Sequence, residues 1–103
     1  MLFALKIEVS VPADVPQETK ADLRKRENAR AIELIKQGRL KRIFRVVGEV
    51  SNISLWEAET LEQLHADVGS LPLYPYMKVH VTPLIEHPVT AAWKETNGAL
   101  PPF

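Results

Sequence analysis

The chain has 103 residues, 46% of them hydrophobic and 25% charged, which fits one soluble globular domain with a modest core. Thirteen basic residues balance thirteen acidic ones, which argues against a generic nucleic-acid surface, and the absence of cysteine removes disulfides, thiolate nucleophiles and thiolate metal sites together. No apolar run approaches the roughly 20 residues needed to span a bilayer, so no membrane association is expected and the cytoplasm is the default location.

Leu5, Ile7, Val9 and Val11 alternate with Lys6, Glu8 and Ser10, so residues 2–11 read as a first strand rather than as an uninterrupted signal-peptide core. Asp14 can cap a following helix that has Pro16 in its first turn and runs to about Gln37, with Gly38 as its stop. Residues 39–47 and 50–58 form two further strands, a hairpin joined tightly at Gly48-Glu49. Thr60 and Gln63 make a capping-box pattern for a second helix, on which Leu61, Leu64, His65 and Val68 share one face. The run "LPLYPYMKVHV" then stiffens the chain before a last strand at about 76–82. From His87 onward, three prolines and "TNGALPPF" read as an extended tail, giving a domain over 1–88 and a tail over 89–103.

The order strand, helix, strand, strand, helix, strand is a split βαβ arrangement. It predicts an α+β fold, a four-stranded antiparallel sheet with two helices on one face. The opposite sheet face mixes Lys6, Glu8, Lys78 and His80 with large apolar groups, a mixture that water alone suits poorly. A second copy of the chain is the expected cover.

Glycine-rich phosphate loops, nucleophile elbows and close histidine pairs at metal spacing are all missing, so no metal site is expected. Glu27 falls between Leu23, Ala31 and Leu34 on the helix arc that faces the sheet. Burial there raises a carboxyl pKa toward the range of proton transfer, whereas an arginine partner makes it a structural ion pair; Arg24 lies in the same arc. His65 is either a core histidine with a satisfied ring nitrogen or a second acid–base candidate. Arg45 can hold a substrate carboxylate by two parallel hydrogen bonds, or it can pair with Glu8 or Glu49. Asn52, in mid-strand beside Ile53, can donate to a carbonyl oxygen, or make an edge or bulge contact.

These residues carry a resemblance. "MLFALKIEVSVP", "RVVG" followed by "SNISLWE", the glutamate of "RKRENA" and "LHADVGSLPLYPYMKVHVTPLIEHP" closely resemble the muconolactone delta-isomerase family over about residues 1–88. That family usually carries an aromatic near Leu40 and often a histidine near Arg42, and this chain departs at both. The resemblance implies a ferredoxin-like fold, dimers closed through the sheet, a homodecamer and a cofactor-free enzyme of aromatic catabolism in the β-ketoadipate pathway. It implies a small lactone carboxylate as substrate, whose ring double bond moves by removal and return of a proton. On this reading Glu27 is the proton shuttle and His65 the second choice. Arg45 binds the carboxylate, and Lys6 or Asn52 stabilises the dienolate oxygen. Tyr74 or Tyr76 lines the pocket or a subunit interface, and the tail covers a neighbouring subunit's site. The competing readings are a cofactor-independent monooxygenase or other lactone isomerase of the same fold, and a non-catalytic oligomerising or binding module.

Overall fold

The computed structural model describes all residues, 1–103. Its elements are β1 (Leu2–Val9), α1 (Gln17–Lys36), β2 (Leu40–Arg45), β3 (Ser51–Glu57), α2 (Leu61–Gly69), a 3₁₀ turn (Tyr74–Tyr76), β4 (Met77–Leu84) and α3 (Pro88–Asn97). The strands form one antiparallel sheet in the order β2-β3-β1-β4, the ferredoxin-like arrangement expected from the element order.

Strand β1 lies at the centre and its alternation sets the layers. Phe3, Leu5 and Ile7 are buried beneath the helices, and Trp56 pairs with Phe3 across the ladder. Leu34 of α1, Leu40 of β2, Leu64 and Val68 of α2, and Leu71 close the same core. The buried Trp56 ring donates its Nε1–H to Ser54 Oγ at 2.8 Å, so neither polar group is stranded among the hydrocarbons.

Helix α1 starts two residues later than the sequence suggests. Pro16, not Asp14, occupies the N-cap, with no side-chain cap, and its carbonyl accepts the first helical bond from Lys20. Proline suits this position because its fixed φ leads into the helix and its carbonyl is free. The other end follows expectation. Gly38 takes φ +75°, and the Gly38 and Arg39 N–H groups donate back to Ile35 and Leu34. Thr60 caps α2 as its pattern predicts, its Oγ1 accepting from the Gln63 N–H at 3.0 Å. The hairpin strands are shorter than predicted, and residues 46–50 form the connection around Gly48 at φ +84°.

Residues 88–97 are helical rather than extended. Pro88 sits in the first turn, where proline's missing N–H costs nothing, and His87 Nδ1 accepts from the Val89 N–H at 3.1 Å. The proline that reads as a breaker therefore starts a helix. Beyond α3 the chain turns at Gly98, and Phe103 stacks on Phe44 of the same chain with ring centroids 5.7 Å apart. No helix is long and apolar enough to cross a membrane.

Candidate active site

The first half of α1 stands over the outer end of the sheet and leaves a cavity of about 960 Å³ between them. Lys20, Arg24, Glu27, Asn28 and Ala31 line its helix wall, a stripe of i, i+4 and i+7 spacings. Ile43 and Arg45 of β2, Asn52 of β3 and Val9 of β1 line the sheet wall, and Leu73 and Met77 close one side. The volume lies within the range of about 300–1,000 Å³ common for small-molecule sites.

Glu27 is half-buried in this cavity, and the Leu73 backbone N–H donates to its Oε1 at 2.9 Å. Burial raises its pKa above the ordinary 4.5, and the Leu73 hydrogen bond opposes that rise by stabilising the carboxylate. No cation of the chain pairs with Glu27 within 4.0 Å, so it is not the ion pair that its position also allowed. A carboxyl held in place, partly desolvated and unneutralised is suited to take and return a proton.

Arg45 reaches neither Glu8 nor Glu49; the latter is taken by Lys6 at 3.3 Å and by the Ser51 hydroxyl at 3.1 Å. Across the β2–β3 ladder Arg45 pairs with Asn52, so the two side chains stand together on the sheet wall. Asn52 Oδ1 is buried without a hydrogen-bond partner. Such a group costs about 1–3 kcal/mol when nothing satisfies it, and here it faces the cavity as an acceptor open to a donor. Glu27, Arg45 and Asn52 are thus brought together.

Other predicted residues lie apart. His65 is exposed and lines a second cleft of about 300 Å³ between α2 and β4, with Leu61, Leu64, Val68, Val79 and Val81. Its ring meets the Tyr74 ring edge-on, with centroids 6.1 Å apart. The expected core histidine is therefore a cleft residue. The buried polar group of α2 is instead Asp67, which accepts from Arg39 Nη1 at 2.8 Å. Lys6 lies on the opposite sheet face and pairs with Glu49. Tyr76 lines neither cleft, whereas Tyr74 lines the one that holds His65. Sequence reasoning placed Arg24 on the correct arc without giving it a role, and it missed Lys20, Asn28 and the Leu73 N–H. The spacing of Lys20, Arg24 and Asn28 at successive fourth positions was the available signal for the helix wall.

Comparison with known proteins identifies the family. The family described as muconolactone delta-isomerase matches residues 1–90. The chain belongs to the muconolactone delta-isomerase family. It is 41% identical to the muconolactone delta-isomerase of Cupriavidus pinatubonensis over 88 residues, covering 85% of this chain and 96% of the relative. It is 40% identical to that of Acinetobacter baylyi over 88 residues, 85% of this chain and 92% of the relative. A crystal structure of muconolactone isomerase superposes with a TM-score of 0.81 at 33% identity, over 85% of this chain and 92% of that one. A 5-chloro-2-hydroxyhydroquinone dehydrochlorinase from Burkholderia phenoliruptrix shares the fold, with a TM-score of 0.62 at 16% identity, over 84% of this chain and 96% of that one. Within the muconolactone delta-isomerase family the chain is an isomerase of aromatic catabolism. By its geometry, the cavity holding Glu27 is the candidate active site.

Proposed function

We propose that this isomerase shifts the ring double bond of muconolactone, or of a close lactone carboxylate, to give the 3-oxoadipate enol-lactone, with Glu27 as the proton shuttle. The Glu27 carboxylate takes the proton from the ring carbon that bears the carboxymethyl arm. The electron pair of that C–H bond becomes the new ring double bond, and the old double bond's electrons spread onto the lactone carbonyl as a dienolate. Glu27 then returns the proton to the carbon next to the carbonyl. Reactant and product are isomers, so atoms and electrons balance without a redox partner.

The arm's carboxylate lies against Arg45, whose place on the sheet wall fixes which ring carbon faces Glu27. The observation that carries this reading is the convergence of a partly desolvated Glu27 with Arg45 and Asn52 in one cavity, in a chain of this family. Its test is incubation of the purified protein with muconolactone, following the ring protons by NMR. Appearance of the enol-lactone with first-order loss of muconolactone supports the reading, and an unchanged spectrum defeats it.

The protein also self-associates on this reading, as a homodimer closed through the open sheet face, within a larger ring such as a decamer. Ile53 and Phe44, the latter partly covered by the chain's own Phe103, are each 46% exposed on that face, beside the Lys6–Glu49 pair.

A further inference from the structure

Four of the six arginines are engaged. Arg26 donates to Asp22, Arg30 to Ser70 and Glu33, Arg39 to Asp67, and Arg42 to the Lys41 carbonyl. The remaining two, Arg24 and Arg45, donate to nothing in the chain, and both line the Glu27 cavity from opposite walls. A double-bond shift through a dienolate presents two sites of negative charge, the arm's carboxylate throughout and the carbonyl oxygen during the reaction. Two free guanidinium groups face that requirement.

We infer that Arg24 is a further catalytic residue, the cation that faces the lactone carbonyl and stabilises the dienolate oxygen while Arg45 holds the arm. The assignment rests on the proposed lactone reaction. It follows from placement. Arg45 stands on the sheet wall with an unpaired guanidinium, whose fork suits the two oxygens of a carboxylate. Arg24 stands one helical turn before Glu27, with Cβ atoms about 5–6 Å apart at this spacing. The charge it would meet therefore appears beside it at the moment Glu27 takes the proton. Arg24 is not consumed in neutralising Glu27, whose protonation is governed by burial and the Leu73 N–H. Lys6, the other cation considered for this role, is on the far face of the sheet and held by Glu49. Lys20 stands a further turn from Glu27 along the same stripe.

A positive group aimed at developing charge raises kcat, whereas one that grips a carboxylate present in ground and transition states alike lowers KM. The experiment compares wild type, Arg24→Ala, Arg24→Lys and Arg45→Ala on muconolactone and on its methyl ester, after thermal unfolding has shown that each variant folds. Arg24 is exposed and unbonded, so its replacement leaves the fold intact. Arg24→Ala is expected to lower kcat about 10²–10³-fold with little change in KM, by similar factors on acid and ester. Arg24→Lys is expected to restore part of that loss. Arg45→Ala is expected to raise KM for the acid and to erase the preference for acid over ester. Unchanged kcat in Arg24→Ala, with an active wild type, overturns the assignment of Arg24 and leaves the lactone reading standing. A loss in Arg24→Ala confined to KM for the acid also overturns it, by making Arg24 the arm's clamp. A wild type inactive on both substrates removes the lactone reading and this assignment together.

Discussion

The Leu73 backbone N–H donates to Glu27 Oε1 at 2.9 Å, a contact between residues 46 positions apart in the chain. It gives the proline-flanked run before β4 a purpose beyond stiffening. Pro72 and Pro75 restrict the backbone on either side of Leu73, and the 3₁₀ turn at Tyr74–Tyr76 follows at once. A carboxylate on a helix is thereby held by a donor that has little freedom to leave.

The bond and the burial act on Glu27 in opposite directions, and burial is the larger effect. The folded protein therefore holds the Glu27 proton more tightly than the unfolded chain does. The corresponding stability is fully present below the ordinary value of 4.5 and is lost as pH rises through the higher folded value. Glu27→Gln keeps an oxygen for the Leu73 N–H and removes the charge. Its stability relative to wild type is expected to be most favourable near neutral pH and to converge with wild type in acid. Urea unfolding at a series of pH values checks this, and a variant less stable than wild type near neutral pH opposes it.

Arg45→Ala is expected to raise KM about 10–100-fold with a smaller change in kcat, the loss of a charged hydrogen-bond pair worth about 1.5–3 kcal/mol. Arg45 is exposed and has no partner within the chain, so its thermal unfolding midpoint should stay near that of wild type. A collapse in stability without a change in KM would make Arg45 structural.

Ser54→Ala tests the core. The hydroxyl is fully buried and accepts from the Trp56 Nε1–H, so its removal strands a buried donor at a cost of about 1–3 kcal/mol. Denaturant titration should show that loss with the slope unchanged. A neutral substitution would mean that another acceptor replaces the hydroxyl.

Ile53→Lys places a charge on the open sheet face beside Lys6, its partner across the β1–β3 ladder. If that face joins two copies, light scattering should show a smaller particle while circular dichroism stays the same. An unchanged particle would move the interface elsewhere.

Much of this was legible in the sequence because period and burial coincide. The alternation of Phe3, Leu5 and Ile7 marks the central strand, and the glycine after α1 marks its end. Glu27 was legible for the same reason, as a charge at an apolar position. What stayed hidden depends on long-range placement. The Leu73 N–H is a backbone group that no side-chain pattern advertises. His65 follows the helical period but lies over the edge strand, where α2 leaves a cleft, and the neighbouring stripe through Asp67 is the buried one. Arg24 could be placed on its arc, but only the folded chain shows that Arg24 and Arg45 lack partners. At α3 one local signal has two meanings, since a proline that ends one helix also begins another.

The central claim is that Glu27 moves a proton within a lactone bound in its cavity. The most direct measurement is the initial rate of muconolactone conversion by NMR for wild type and Glu27→Gln, prepared side by side and matched for fold. The account predicts steady formation of the enol-lactone by wild type and a rate about 10²–10⁴-fold lower in the variant. Equal rates in the two proteins, or no conversion by wild type, would contradict it.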